Sequence, residues 1–365
     1  MDIKNLVFCF SIAFAISLAS TPFIITLAHK IGAIDVPNDE RRVHKNPIPR
    51  LGGLAIFYGF LIALLCFANP IDEQMRGIII GSLIIVGVSI IDDVKQLRAI
   101  VKLFAQILAA LVVVIHDVRI NAISVPHFIS ESGVLQLGIL SIPVTVAWII
   151  AVTNAVNLID GLDGLAVGVS SIASFSLFFI AILGGEQDVA ITAAALAGGC
   201  LGFFPYNFNP AKIFMGDTGS QFLGYMLSVI CIQGLFKGYA VISFIVPLLI
   251  MALPLFDTVF AIIRRAWNHQ PIMGADRGHL HHRLLDSGFS QKETVAILYA
   301  ITTVLGLCAV LVLEKGSYFA SLILMLSVAT AFGLYRLFRK RFNKKRAQAL
   351  AAVENTNKSE ADKND

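Results

Sequence analysis

Carboxylates, amides and cationic side chains recur in a few short segments of this 365-residue chain. In one of them Asp92 and Asp93 are adjacent at the end of an apolar stretch, and Lys102 and Gln106 follow on the next predicted helix. Adjacent carboxylates in apolar surroundings repel each other and lose hydration, so a cation, a lysine or a proton must compensate them. This segment therefore suits a metal-assisted reaction of a phosphate group.

A second segment carries a polar side chain at every third position, at Asn154, Asn157, Asp160 and Asp163. On a helix this spacing gives one slowly drifting face, which we expect here. Glycines follow the two aspartates, and glycine lets the backbone approach a ligand closely. Packing alone does not explain two amides and two acids between apolar stretches, so the stripe is a candidate binding surface.

A third segment, residues 207–220, predicts a loop that leads into a helix N-terminus. Backbone N–H groups and the positive end of the helix dipole suit an anion at such a place. Asp217 lies at the start of this helix, and its carboxylate is a hard oxygen ligand suited to Mg²⁺.

Two basic segments complete the set. In residues 35–53, His44, Lys45 and Arg50 offer cationic donors for a phosphate or an acidic headgroup, although plain positive charge beside a membrane is the alternative. In residues 276–283, His279 and His282 have the spacing of a metal pair on a helix. No third ligand lies nearby in the sequence, so the arginines around them favour phosphate or sugar contacts over zinc.

Asp257 is a separate polar residue, since it lies inside a predicted membrane span. Ionisable residues within spans usually pair or have a function. The sequence leaves structural pairing with another helix and substrate binding equally open.

The composition is that of a polytopic membrane protein. Hydrophobic residues make up 57%, charged residues only 14%, and the mean hydropathy is +0.79. These values exclude a soluble enzyme and a disordered chain. The five cysteines lie in apolar stretches without CxxC spacing, which supports neither a disulfide framework nor a zinc site.

We predict an all-α fold with about eleven transmembrane helices and a short hairpin in an outside loop around 118–137. A single catalytic domain spans residues 1–338, and a basic, then disordered, cytoplasmic tail spans 339–365. The first span is expected to be retained rather than cleaved as a signal peptide. The predicted spans are 6–28, 51–69, 77–91 (extending through the two aspartates), 99–116, 139–156, 164–183, 189–206, 219–236, 240–263, 293–313 and 317–338.

Charge bias orients these spans. Of the 28 Lys and Arg residues, 23 fall on the side of the basic tail, which predicts a cytoplasmic C-terminus and an outside N-terminus. All the polar segments then meet at the cytoplasmic face, as a site for Mg²⁺ and a diphosphate beside the bilayer. A transporter is the alternative from another class, but it would place its site near the midplane with access from both sides.

Five motifs together resemble the polyprenyl-phosphate N-acetylhexosamine-1-phosphate transferases, over roughly residues 30–315. They are PRLGG (49–53), Asp92-Asp93, NAVNLIDGLDGLA (154–166), FMGDTGS (214–220) and HLHHRL (279–284). The first and last are similar to the branch that uses UDP-GlcNAc and undecaprenyl phosphate. The phospho-MurNAc-pentapeptide translocases instead typically show PTMGG and HHHFE.

The resemblance implies transfer of GlcNAc-1-phosphate from UDP-GlcNAc to undecaprenyl phosphate, with release of UMP. This would be the first membrane step of cell-surface polysaccharide synthesis, in a bacterial cytoplasmic membrane. It implies Mg²⁺ as cofactor, with Mn²⁺ as an alternative, and no nucleic-acid partner. Another UDP-N-acetyl sugar, a homodimer and a covalent aspartyl-phosphate step all stay open.

The resemblance also implies residue roles. The catalytic residues are Asp92, Asp93 and Lys102, and the metal ligands are Asp217 and Asn157. The positions around uridine are Asn207, Phe214 and Asp160, with Phe214 stacked on the base. The remaining substrate-binding residues are Lys45, Arg50, Asn154, Asp163, His279, His281, His282 and Arg283.

Overall fold

Apolar helices make up most of the chain in a computed structural model that describes residues 2–37, 46–68, 71–124, 131, 133–235, 245–270, 278–315 and 336. The helices are α1 (Ile3–Ile31), α2 (Gly53–Phe67), α3 (Glu73–Lys95), α4 (Ala99–Ile115), α5 (Ser141–Leu158), α6 (Leu165–Gly184), α7 (Gln187–Asn207), α8 (Gly216–Leu235), α9 (Ile245–Ile250), α10 (Ala252–Trp267), α11 (Leu280–Asp286) and α12 (Gln291–Lys315). The strands are β1 (Ile34–Asp35), β2 (Ile48–Pro49), β3 (Ala122–Ser124) and β4 (Val134–Gln136).

Six stretches within the described ranges are long and apolar enough to cross a membrane. They contain α1, α3, α5, α6, α7 and most of α12, and α2 and α4 are shorter apolar helices. The all-α, multi-pass prediction is therefore confirmed, whereas the count of eleven spans stays a prediction. The expected span 317–338 lies almost wholly outside the described residues, and the expected tail 339–365 lies entirely outside them.

The centre of the bundle is formed by α7 and α8. α7 packs against α1, α2 and α6, while α8 packs against α3 and α5. The first of these contacts depends on glycine, because a Cβ on Gly198 or Gly202 would lie 2.3 Å from a backbone oxygen of α1. Small residues that let backbones approach closely are the usual means of packing helices within a bilayer.

The predicted span 240–263 is wrong as one continuous helix. The structure has α9 and α10, with the break at Met251. Pro254 has no N–H to donate to the carbonyl of Ile250, so this helical hydrogen bond is missing, although Met251 and Leu255 donate to the carbonyls of Pro247 and Met251, both at 3.0 Å. The proline thus lies in the first turn of α10, where the missing N–H is tolerated. The predicted hairpin is confirmed, since β3 and β4 pair antiparallel with Ile123 opposite Leu135.

The helical face predicted through residue 163 is also only partly correct. α5 ends at Leu158, so Asp160 and Asp163 lie in a turn that leads to α6. Gly164 has a φ of 78°, which a residue with a side chain rarely adopts, and this conformation ends the turn. α3, in contrast, extends to Lys95 and includes Asp92 and Asp93, as the sequence predicted.

Candidate active site

The polar segments meet around one cavity at a single end of the bundle. Its volume is about 320 Å³. The C-terminal ends of α3, α5 and α7 and the N-terminal ends of α6 and α8 surround it. The predicted site residues that line it are Arg50, Asp93, Asn157, Asp160, Asp163, Asn207, Phe214, Asp217 and His282.

Asp93 binds the N-terminus of α8. Its Oδ1 accepts from the backbone N–H of Asp217 at 2.9 Å. Its Oδ2 accepts from the N–H and the hydroxyl of Thr218, at 3.0 and 2.6 Å. The sequence predicted that this helix end would attract an anion, and the anion found there is a carboxylate of the chain itself. Asp93 thereby fixes the backbone that carries Asp217.

Asp92 and Asp217 share the ammonium group of Lys102. The Lys102 Nζ lies 3.0 Å from Asp92 Oδ2 and 2.9 Å from Asp217 Oδ2. Asp92 is held on its other oxygen by the N–H of Leu97 at 2.6 Å, and Asn157 donates to Asp217 Oδ1 at 2.7 Å. The lysine is therefore the compensating cation for Asp92, whereas the N-terminus of α8 compensates the adjacent Asp93.

The carboxylate of Asp160 has no hydrogen-bond or ion-pair partner in the described part of the chain, although it faces the cavity. Burial, followed by the negative charges of Asp217, Asp93 and Asp163, raises the pKa of this carboxyl to about 8. A cavity that gathers this much negative charge is suited to a bound cation.

Preformed metal cages are absent from the described residues, where no group of three or more His, Cys, Asp or Glu side chains is arranged to hold an ion. This fits Mg²⁺, which keeps several waters and uses one or two carboxylates together with substrate phosphates. Asp217 and the unpartnered Asp160 supply hard oxygen donors of this kind. The residues present therefore fit a magnesium ion better than zinc.

The turn between α5 and α6 is tied to the loop before α8. Asn207 accepts from the N–H of Gly164 at 3.1 Å and donates to the carbonyl of Ile213 at 2.9 Å. Asp163 Oδ2 accepts from the side chain of Asn209 at 2.9 Å and from the N–H of Ala211 at 3.0 Å. Both of these predicted site residues thus position the loops that form the cavity.

The first basic segment supports the same loop from the other side. Phe214 donates its N–H to the carbonyl of Pro49 at 2.8 Å and accepts from the N–H of Gly52 at 3.0 Å. The Arg50 Nε donates to the carbonyl of Asp93 at 3.0 Å. A Cβ on Gly53 would lie 2.1 Å from the nitrogen of Gly219, so the glycines of this motif permit the close contact. Lys45 and His44 lie outside the described residues.

The structure settles the position of Asp257. Its Oδ2 pairs with His279 Nδ1 at 2.9 Å, and its Oδ1 accepts from the N–H of Leu280 at 2.8 Å. Asp257 thus anchors the start of α11. Among the described residues, His279 and His282 belong to no group of three or more side chains that could hold a metal ion.

α11 brings one histidine to the cavity and buries another. His282 lines the cavity, whereas His281 packs against Gly161, where a Cβ would lie 2.4 Å from its Nε2. Burial, followed by the charge of His282, lowers the pKa of His281 to about 3, so this imidazole stays neutral. The Arg283 guanidinium lies 5.9 Å from the ring centre of Phe260, away from the cavity lining.

Asn154 lies apart from the cavity lining. It donates to Gln106 and to the carbonyl of Ile150, both at 2.8 Å, so it joins α4 to α5. Sequence reasoning missed two lining residues, Asp35 and Gln291. Asp35 belongs to the first basic segment and could have been found from its position, whereas Gln291 at the start of α12 belongs to no pattern.

Comparisons with known proteins show the family of this chain. Residues 75–235 match the family described as glycosyl transferase family 4. The chain is 41% identical to a "Probable undecaprenyl-phosphate N-acetylglucosaminyl 1-phosphate transferase" of Bacillus subtilis (strain 168), over 86% of this chain and 87% of the relative. It is 35% identical to a "Decaprenyl-phosphate N-acetylglucosaminephosphotransferase" of Mycobacterium tuberculosis (strain CDC 1551 / Oshkosh), over 75% and 74% of the two chains. It is also 30% identical to a "Phospho-N-acetylmuramoyl-pentapeptide-transferase" of Desulforudis audaxviator (strain MP104C), over 80% and 94%.

Proposed function

The chain belongs to glycosyl transferase family 4, and from this premise we propose that it transfers GlcNAc-1-phosphate from UDP-GlcNAc to undecaprenyl phosphate and releases UMP. The observation that carries the proposal is the cavity where Asp93, Asp160, Asp163 and Asp217 converge beside the ammonium group of Lys102. Relatives at 41% and 35% identity are named for GlcNAc-1-phosphate transfer to a polyprenyl phosphate. The product would be the first lipid-linked intermediate of a cell-surface polysaccharide.

Mg²⁺, with Mn²⁺ as a substitute, would be held by Asp217 and Asp160 with help from the amide of Asn157. When bound, the ion neutralises the diphosphate and the leaving nucleotide. One divalent ion needs negatively charged ligands that it can reach. The carboxylate of Asp160 has no other partner, and the side chain of Asp217 is 29% exposed, so both are suited to bind it.

The bond broken lies between the two phosphates of the donor, so the anomeric carbon of the sugar is untouched. Lys102 reduces the repulsion between two anionic reactants, as preorganised cations do in phosphoryl transfer. The nucleophile is a phosphate monoester whose second pKa is about 6, so it is largely dianionic at pH 7. The chain therefore does not need a general base, and Asp92 and Asp93 are free to position Lys102 and α8.

The acceptor would reach the site from the bilayer. α4, which carries Lys102, also carries Ile100, Phe104 and Leu108, whose side chains are exposed. An apolar surface next to a cation suits a lipid whose phosphate is its only charged group. We further propose that this face is cytoplasmic, with the N-terminus outside, because the topology predicted from the sequence puts 23 of the 28 Lys and Arg residues on this side.

The donor distinguishes this proposal from its nearest alternative, transfer of phospho-MurNAc-pentapeptide. Both labelled donors should compete for one pool of undecaprenyl phosphate, with purified protein in nanodiscs and Asp217→Asn as the inactive control. We expect lipid-linked GlcNAc and almost no muramyl product, because the relatives named for GlcNAc-1-phosphate transfer are 41% and 35% identical to this chain, whereas the muramyl-pentapeptide relative is 30% identical. Comparable conversion of the muramyl donor would remove the GlcNAc assignment and leave the family standing.

A further inference from the structure

We infer that, when the site is empty, the ammonium group of Lys102 neutralises Asp217 in place of the metal. When metal and nucleotide bind together, the metal takes Asp217, and Lys102 moves its ion pair from Asp217 to a phosphate of the substrate. The inference rests on the metal dependence proposed above. It assigns to Lys102 a second task, which is to couple the binding of a divalent cation to the binding of a diphosphate.

The first step of the argument is that one oxygen atom cannot serve both cations in the same way. Asp217 Oδ2 lies 2.9 Å from Lys102 Nζ, which is a full ion pair. The other oxygen, Oδ1, already accepts from Asn157. A divalent ion bound to Asp217 repels the ammonium group at this distance, so the two compete for the same carboxylate.

The second step concerns the place where Lys102 remains attached. Asp92 Oδ2 lies 3.0 Å from Lys102 Nζ, and Asp92 is itself buried, with a side chain that is 4% exposed. The N–H of Leu97 fixes its other oxygen at 2.6 Å. Asp92 therefore keeps Lys102 at the site after Asp217 has released it.

The third step is what a released ammonium group needs. Lys102 has three donors, and the side chains of Lys102 and Asp217 are 27% and 29% exposed, so a ligand can reach this ion pair. A phosphate oxygen of the diphosphate satisfies that donor. Each ligand thus makes room for the other, and thermodynamic linkage requires the effect to be reciprocal.

The test measures Mn²⁺ binding by the electron spin resonance of the free ion, with and without UDP, so that it does not depend on turnover. Lys102→Met should bind Mn²⁺ about tenfold more tightly than the wild type when UDP is absent, within the usual range of coupling between sites. UDP should raise the affinity of the wild type strongly and that of Lys102→Met little. Lys212→Met is the matched control, because Lys212 lies 6.0 Å from the ring centre of Tyr206 instead of beside a carboxylate.

A variant that is expected to weaken Mn²⁺ binding, rather than strengthen it, excludes general disruption of the site as the cause. Asp92→Asn leaves Lys102 with Asp217 alone, so Mn²⁺ should bind more weakly than to the wild type. In the Lys102→Met background the same substitution should have a smaller effect, because the part of its consequence that passes through the lysine is then absent. Lys102→Gln is a second neutral variant and should behave like Lys102→Met. Melting curves for every variant confirm that the comparison is made on folded protein.

The outcomes separate this inference from the proposed function. Equal or weaker Mn²⁺ binding by both Lys102 variants overturns the exchange and leaves metal dependence in place. If neither the wild type nor any variant binds Mn²⁺ in the presence of UDP, the proposed metal dependence fails, and the exchange fails with it.

Discussion

Replacing Asp93 by asparagine tests whether this residue positions the site or reacts in it. The carboxylate accepts three hydrogen bonds from Asp217 and Thr218 at the N-terminus of α8. Asparagine keeps one oxygen but turns an NH₂ group toward one of the two backbone N–H groups. An unsatisfied buried N–H costs about 1–3 kcal/mol, and the lost charge at a helix N-terminus costs about 0.3–1 kcal/mol.

We therefore expect Asp93→Asn to lose about 3 kcal/mol of stability, taking the upper part of these ranges. This is about 6 °C in melting temperature at roughly 2 °C per kcal/mol. Because the same N–H groups fix the backbone of Asp217, Mn²⁺ affinity should fall as well. Fluorescence-detected melting and Mn²⁺ titration of the purified protein measure both effects.

Asp72→Asn is the matched control. Asp72 caps α3 through the N–H of Met75 at 2.7 Å, and asparagine caps a helix about as well as aspartate, so the substitution should cost only the lost charge at the helix N-terminus, about 0.3–1 kcal/mol. Asp72 lies at the opposite end of α3 from the site, so Mn²⁺ affinity should stay unchanged. An Asp93→Asn protein that melts and binds Mn²⁺ like the wild type, yet does not turn over, would refute the positioning role and put Asp93 in the chemistry.

Four further predictions follow from the site and the charge bias. Asp217→Asn should abolish turnover and weaken Mn²⁺ binding, since a neutral amide is a poor ligand for the ion; near-normal turnover at ordinary Mg²⁺ would exclude Asp217 from metal binding. Gly161→Ala should reduce turnover strongly, because its Cβ would lie 2.4 Å from the buried His281 ring, and Gly161→Ala with His281→Ala should recover part of the rate. Burial lowers the pKa of His281 in the folded protein to about 3, below the ordinary value of about 6.5 for a histidine, so its contribution to stability is complete above pH 6.5 and is lost as the pH falls toward 3; His281→Gln should flatten the fall in melting temperature between pH 7 and pH 5. A reporter fused after Gly185 should be active outside the membrane, and a cytoplasmic signal there would refute the orientation.

The sequence allowed most of the helices and the cavity to be predicted, because apolar length and polar clusters are local signals. The break at Met251 could also have been read from Pro254, but a continuous apolar stretch concealed it. The turn after Leu158 was missed because a spacing of three residues resembles a helical face, whereas Gly164 with its positive φ ends the turn.

Partnerships across the fold could not be predicted, because they depend on which helix ends meet. Asp92 and Asp93 are adjacent in sequence, yet one pairs with Lys102 and the other caps α8. Asp257 pairs with His279, which lies 22 residues further along the chain, and Gln291 accepts a hydrogen bond from Asn209 at 2.7 Å. No spacing within one helix encodes these contacts.

The most direct test of the central claim follows the β-phosphorus of the donor. Purified protein receives UDP-GlcNAc labelled at the β-phosphate, together with undecaprenyl phosphate and Mg²⁺, and the lipid and aqueous phases are separated. We predict that the label enters the lipid phase in equal amount to the UMP that appears in water, because the bond between the two phosphates is broken. Label that stays in water as UDP while the sugar enters the lipid would mean attack at the anomeric carbon, and would contradict sugar-1-phosphate transfer.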